Sequence, residues 1–318
     1  MTVPAVLLLG GTDLTRSVAD GLLQSSDVRL AAVVSPPSAF RISYSASSVR
    51  NTRFADMARW CEERRVAFAA YGGPDDLVAI VRQCRPDVAL ASGWYHHLPA
   101  AVRMLFPRGC LGVHASLLPR YRGGAPLNWA LLNGDAEAGV TLFALADGID
   151  DGVLYDQRRF AIDPEDYIGD LLQKAEAATL AMVAAVLPDV VSGRREGRPQ
   201  EGEVSYALQR QPSDGIIDWN HGASTIARLV RSVSRPYPGA RTSLEGMPLV
   251  VWRARPAPGA PRVHGAPGQI VRLPELDAPA IVTGDGLLLV DEVEGPEGFD
   301  RAALAARHQR RLDAVTRL

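Results

Sequence analysis

Lysine is almost missing from this chain. Lys174 is the only one, and arginine supplies nearly all the positive charge. That bias reads as genomic composition rather than function. Charge of one sign is missing too: 34 basic residues against 36 acidic ones leave a net charge of -2, which excludes a global pull toward nucleic acid or a membrane surface while leaving a local basic patch open. Cysteine is scarce. Cys61, Cys84 and Cys110 are odd in number and show no metal-ligand spacing, which argues against a disulfide framework and predicts reduced thiols in a cytoplasmic protein. Long apolar runs are absent as well; the first ends at Gly10 with no basic segment before it, so neither a signal peptide nor a membrane span is expected. Gly10-Gly11 lacks the rest of a dinucleotide fingerprint, and a plain tight turn is predicted there.

What is present is alternation. Short apolar runs at residues 3–9, 28–34, 66–70 and 88–92 read as buried strands, and amphipathic stretches at 13–24, 54–64 and 75–83 read as the helices between them. Strands alternating with helices predict an α/β fold with a doubly wound, mostly parallel, Rossmann-like sheet, its ligand crevice at the strand carboxyl ends. Strands at 140–146 and 153–160 and a helix from 168 to 187, ending at Pro188, complete this part. Residues 192–203 (S-G-R-R-E-G-R-P-Q-E-G-E) have the composition of a linker, in which Arg194-Arg195 reads as solvation. Beyond it, one helix at 223–233 and short strands punctuated by Gly and Pro predict a small, OB-like β-barrel. The expected division is a catalytic domain over 1–191, a linker over 192–203 and a second domain over 204–318.

The chemistry concentrates in Gly109 to Ala130, G-C-L-G-V-H-A-S-L-L-P-R-Y-R-G-G-A-P-L-N-W-A, where His114 stands at the point a strand opens into a polar loop. Downstream, A-D-G-I-D-D-G brings carboxylates, of which Asp150 is the candidate. A histidine and a carboxylate at neighbouring strand ends form an acid/base pair suited to proton transfer near neutral pH. Cys110, beside that strand, reads as a buried structural thiol. The pair His96-His97 has no third ligand at a recognisable spacing, so no metal is expected.

The run V-H-A-S-L-L-P-R-Y-R-G-G-A-P, followed by N-G-D-A-E-A-G-V-T and I-D-D-G-V-L-Y, closely resembles the bidomain formyltransferases that use 10-formyltetrahydrofolate. The similarity continues through Val204–Ala207, Ile217–Trp219, the R-P-Y-P-G turn at 235–239 and Val282–Leu288, essentially the whole chain. The resemblance implies His114 and Asp150 as catalytic residues, with 10-formyltetrahydrofolate as co-substrate and no metal. It places the pterin against Trp94, Tyr95, His96, His97 and Leu98 and against Ala146, Asp147, Gly148 and Ile149. Ser116, Arg120, Tyr121 and Arg122 would shape the amine side, the two arginines being suited to a phosphate or carboxylate or to a structural ion pair.

The sequence departs from the family at one position. The family's third catalytic residue, an asparagine two places before the histidine, is Gly112 here. Losing one oxyanion donor typically costs about 10²–10³ in turnover. Either another donor substitutes, a water or a side chain from elsewhere; or the chain transfers slowly or transfers another group; or it is a degenerate folate- or amine-binding protein without turnover. Retained formyl transfer is the expectation.

The acceptor is read from the stretch Ser35 to Arg53, where initiator-tRNA enzymes of the family carry a basic insertion. Here it holds three arginines, Arg41, Arg50 and Arg53, among Ser, Tyr and Phe, thin for gripping phosphates. Phe40 and Tyr44 could wall a small pocket. The expected acceptor is therefore a small amine, an amino sugar or a hydroxylated ornithine, with methionyl-tRNA as the alternative, no membrane partner, and a monomer or homodimer equally open.

Overall fold

A computed structural model describes residues 3–40 and 49–313. The chain forms two compact units, one of Met1–Pro126, Glu137–Ala161 and Gln173–Ala207, the other of Leu127–Ala136, Ile162–Leu172 and Leu208–Leu318.

The first unit is built on a seven-stranded sheet. Its strands are β1 (Ala5–Leu9), β2 (Arg29–Ser35), β3 (Ala67–Ala70), β4 (Val88–Ala91), β5 (Cys110–His114), β6 (Glu137–Ala144) and β7 (Leu154–Ala161), in the order β7-β6-β5-β4-β1-β2-β3. β1 runs parallel to β2 and β4, β2 to β3, and β4 to β5. Only β6 runs against the rest, antiparallel to both β5 and β7. Every residue of β1 and β4 is buried, which is why these strands are continuous apolar runs rather than alternating ones. The expected doubly wound sheet is present, and its order reverses beside β1, which opens the crevice at the carboxyl ends. At the first of those ends Thr12 caps the helix Asp13–Gln24 through a reciprocal bond with Thr15, and the Thr15 hydroxyl also donates to Ser92 O at 2.6 Å. Gly10 packs so closely here that a Cβ would lie 2.1 Å from Ser92 O.

The second unit contains β8 (Ala240–Leu244), β9 (Met247–Pro256), β10 (Ile270–Val271), β11 (Ala280–Val282), β12 (Leu287–Glu294) and β13 (Leu312–Asp313), in the order β10-β11-β12-β9-β8-β13. An antiparallel bridge between Gln269 and Arg311 joins the two outer strands, supported by Ile270 N donating to Arg310 O and Leu312 N to Gly268 O, both at 2.8 Å. The sheet thereby closes on itself and has no free edge there. The helix Ala223–Val233 places Ile226, Ala227, Val230 and Val233 in its core with Ile217, Trp219, Leu249 and Leu288.

Two expectations met a different outcome. The helix expected to end at Pro188 runs from Ile168 to Val191, with Pro188 inside it. A proline interior to a helix costs about 3 kcal/mol, but full burial of Leu187 and Val191 contributes a comparable amount, about 1.5–3 kcal/mol each. The helical path stops where Gly193 turns to a φ of 75°. The stretch 192–203 does not hang free as a linker would. Arg195 donates to Tyr155 O at 2.7 Å and pairs with Asp156, and Arg198 exchanges backbone hydrogen bonds with Leu154. Among the described residues no helix is long and apolar enough to cross a membrane.

Candidate active site

β5 delivers His114 at its carboxyl end, where the ring is buried on all but about a tenth of its surface. Its Nε2 lies 2.7 Å from the Tyr121 carbonyl. A carbonyl only accepts, so Nε2 carries a proton. Its Nδ1 faces Asp150 Oδ2 at 3.5 Å, longer than a direct hydrogen bond but within ion-pair range. The same Oδ2 accepts from Gly123 N at 2.8 Å. One nitrogen is thus committed to the loop, and the other looks across a short gap at a carboxylate.

The backbone around the pair is strained in a localised way. Tyr121, Ala125 and Asp150 adopt φ of 56°, 50° and 49°, a left-handed conformation that costs non-glycine residues about 1–3 kcal/mol each. Gly123, at φ 102°, passes so close to the Val204–Ala207 segment that a Cβ would meet Ala207 O at 2.6 Å. That segment pins the loop. Arg122 N donates to Ser205 O, Gly124 N to Ala207 O, and Tyr121 N to the Ser205 hydroxyl, at 2.7–2.9 Å.

The residue that holds Asp150 was not anticipated. Gln200, inside the expected linker, donates through Nε2 to Asp150 O at 2.7 Å and Gly152 O at 2.9 Å. Its Oε1 accepts from Arg122 Nε at 3.1 Å and Nη2 at 2.6 Å. Arg122, expected to meet substrate, spends its guanidinium on this chain of bonds. Ser116, expected on the same side, is buried and donates to Arg120 O at 2.6 Å, while its carbonyl accepts from Thr141 Oγ1 at 2.6 Å. Both brace the loop. Arg120 is exposed, its guanidinium 5.3 Å from the Tyr121 ring.

The two segments expected against a pterin are brought together by Arg103, which donates to Leu98 O at 2.6 Å and pairs with Asp147. Along the first, Leu98 is in the core and His97 is exposed. Trp94, Tyr95 and His96 instead join an aromatic cluster with Phe40 and Tyr71, ring centres 4.7–5.3 Å apart. Burial holds the His96 imidazole below its ordinary pKa, and His96 Nε2 and Trp94 Nε1 are buried without a hydrogen-bond partner. Along the second, Ile149 is exposed, and Gly148 leaves the room that the Asp151 carboxylate occupies, 2.1 Å from where a Cβ would be. Of the acceptor-loop residues, Phe40 lies in this cluster and Arg53 reaches Glu176 at 3.5 Å. Arg41 and Tyr44 fall outside the described residues.

Gly112 pairs across the sheet with Phe143. A Cβ there would lie 2.8 Å from both Leu145 Cδ2 and Phe143 Cε1. The space a side chain at this position would first enter is therefore taken by hydrocarbon. Cys110, two residues earlier, is pushed up to about 12 by burial, an inert thiol rather than a nucleophile. Among the described residues no group of three His, Cys, Asp or Glu side chains could hold a metal ion.

Residues 4–187 match the model of the formyl transferase family, and residues 210–303 match the model of the formyl transferase C-terminal domain. The chain belongs to the formyl transferase family. It is 37% identical over 209 residues to a methionyl-tRNA formyltransferase of Aromatoleum aromaticum, a match covering 65% of this chain and 64%, just under two thirds, of that relative. It is 36% identical over 235 residues to the methionyl-tRNA formyltransferase of Pelobacter propionicus, covering 72% and 71% of the two chains. Among solved structures, the sugar 3N-formyl transferase WlaRD, determined in the presence of dTDP and 5-N-formyl-THF, superposes with a TM-score of 0.65 at 14% identity, over 94% of this chain and all of that one. At that identity the likeness is one of fold.

Gln200, Arg103 and Ser205 are the site residues that sequence reasoning passed over. Only Ser205 carried a signal, as part of the V-S-Y-A stretch shared with the family.

Proposed function

We propose that this formyl transferase moves the formyl group of 10-formyltetrahydrofolate to the amine of a small acceptor, with His114 and Asp150 as its proton-transfer pair. The observation that carries the reading is the His114–Asp150 pair at the carboxyl edge of the sheet, with Nε2 already spent on Tyr121 O. Nδ1 is then the nitrogen left for chemistry. The donor supplies an activated amide carbon. As the acceptor nitrogen bonds to it, the carbonyl electron pair moves onto oxygen, the C–N10 bond then breaks, and one proton must travel from the acceptor nitrogen to N10. Asp150, held by Gly123 N and by Gln200, is placed to take that proton. Protonated at Nδ1, His114 is placed to stabilise the oxyanion or to return the proton, contributions commonly about 10²–10⁴ in rate. The segments joined by Arg103 are the proposed pterin walls, and the unpartnered nitrogens of Trp94 and His96 fit a polar ring better than an apolar one. Arg120 and Tyr121 face the acceptor side in this reading. With Leu145 and Phe143 beside Gly112, a second oxyanion donor has to come from elsewhere: a backbone N–H, another side chain, a water or the substrate.

A small acceptor is supported by the sparse positive charge between Ser35 and Arg53, one arginine of which is engaged by Glu176. Methionyl-tRNA is the second reading, favoured by the two relatives' names. Release of tetrahydrofolate from 10-formyltetrahydrofolate with a panel of amino sugars and hydroxylated ornithine separates them. Turnover with charged initiator tRNA alone would refute the small-amine assignment. Silence with every acceptor, alongside tight folate binding, would make the protein a binding module.

A further inference from the structure

A cleft of about 560 Å³ opens within the second unit, and Tyr167, Arg228, Arg231, Arg253, Arg255 and Asp291 line it. Its arginines are held in two different ways. Arg255 is neutralised: its Nη2 reaches both Asp277 oxygens at 2.7 and 2.8 Å and its Nε lies 3.3 Å from Asp291. The other three are fixed by neutral groups. Arg228 donates to Leu132 O at 3.1 Å and Thr225 Oγ1 at 3.3 Å. Arg231 donates to the Pro164 and Asp166 carbonyls at 2.8 and 3.1 Å. Arg253 lies over the Tyr167 ring at 4.3 Å.

That last placement is structural. The β9–β12 pairing slips on both sides of Arg253, and the Tyr167 hydroxyl accepts from Ala254 N at 3.2 Å, filling the hydrogen bond the slip frees. Arg253 is left on the ring face. No ion pair reaches any of the three among the described residues, although Glu165 and Asp291 line the cleft and Asp166 lies near enough to Arg231 to favour its charged form. Burial and the like charge of Arg228 push the Arg231 guanidinium below its ordinary pKa. Three pre-positioned cations thus share the cleft with two lining carboxylates, of which Asp291 is engaged by Arg255.

We propose that this cleft binds the phosphate or diphosphate group of a small molecule. Guanidinium forks match phosphate oxygens bidentately and are weakly hydrated, and three of them around one cavity offer more donors than a single carboxylate can accept. The cavity is the size of a small ligand. A polynucleotide backbone is argued against by the charge of the unit: over Leu208–Leu318, 14 arginines stand against 12 Asp and Glu residues, and outside the cleft Arg235, Arg310 and Arg311 are paired with Glu292, Glu245 and Asp313. The proposal does not rest on the formyl-transfer reading.

Titration calorimetry on the full chain with sodium pyrophosphate and with uridine diphosphate tests it. One saturable site per chain is expected, and tighter binding of the nucleotide would show that the cleft also reads the nucleoside. Arg253→Gln and Arg228→Gln should each weaken pyrophosphate by at least about tenfold with Tm unchanged, and Arg253→Lys should restore only part of the loss because it lacks the fork. If Arg253→Gln does not fold, Arg228→Gln alone carries the comparison. Absence of saturable binding, or affinity unchanged in Arg228→Gln, overturns the proposal. So does a short RNA duplex that binds more tightly than pyrophosphate and is lost in the same variants, since that would give the cleft to a polynucleotide.

Discussion

In the first unit, Asp150 faces His114 while Gly123 N and Gln200 fix its carboxylate and its backbone. In the second, carbonyls, a hydroxyl and an aromatic face hold Arg228, Arg231 and Arg253, with no ion pair to any of them among the described residues. Both arrangements immobilise charge, but with opposite results. A charge with both a counterion and fixed hydrogen bonds is locked into one geometry, which is what a proton-transfer step needs. A charge held by neutral dipoles keeps most of its field for whatever enters next. The same reasoning makes Arg255 a poor candidate for ligand binding although it borders the cleft, because Asp277 and Asp291 already neutralise it. Arg122 differs: its Nε and Nη2 both donate to the neutral Gln200 oxygen, so its geometry is fixed while its charge is not cancelled.

His114→Ala tests the first half of that contrast most severely. Formyl transfer should fall by about 10²–10⁴ while pyrophosphate affinity stays at the wild-type value, measured by tetrahydrofolate release and calorimetry on the same preparation. Wild-type turnover would remove the histidine from the mechanism. Gln200→Leu should act less strongly. It removes both bonds to the Asp150 loop and leaves the Arg122 guanidinium without an acceptor, so a stability loss of about 1–3 kcal/mol in urea unfolding should accompany a roughly tenfold fall in kcat. KM should change less than kcat, because Gln200 acts through Asp150 and touches no substrate. An equal change in both would mean that the glutamine only holds the fold.

The sheet was readable from the chain because its strands are buried on both faces and therefore continuous apolar runs, as in β1 and β4. That His114 and Asp150 come together was readable because both lie in the stretches that the resemblance covers. Gln200 was not. It lies in a segment whose Gly, Pro and charge content is that of a linker, and nothing local distinguishes a glutamine that braces Asp150 from one that faces water. The surroundings of Ser116 and Arg122 met the same limit: a polar residue beside such a loop is as suited to bracing it as to meeting substrate, and nothing local in the sequence signals that these two donate to Arg120 O and Gln200. The helix running through Pro188 shows tertiary burial overriding a local breaker. The arginine cleft draws on residues from Gly134 to Asp291, with no spacing to betray it.

Gly112→Asn has the smallest expected effect on activity and bears most directly on how this chain differs from its family. Restoring the missing amide looks like a gain of function on paper. The structure argues against it, because Leu145 Cδ2 and Phe143 Cε1 already occupy the space at 2.8 Å from a Cβ, and Phe143 is buried. Forcing a polar side chain among them should cost about 1–3 kcal/mol of stability without raising kcat, since the amide would be deflected from the His114 side. Gly112→Asn combined with Leu145→Ala removes one of the two obstructions and should recover part of the stability. If the single variant is as stable as wild type and turns over faster, the hydrocarbon wall yields to the side chain. The glycine would then be a lost catalytic residue rather than one whose place has been filled.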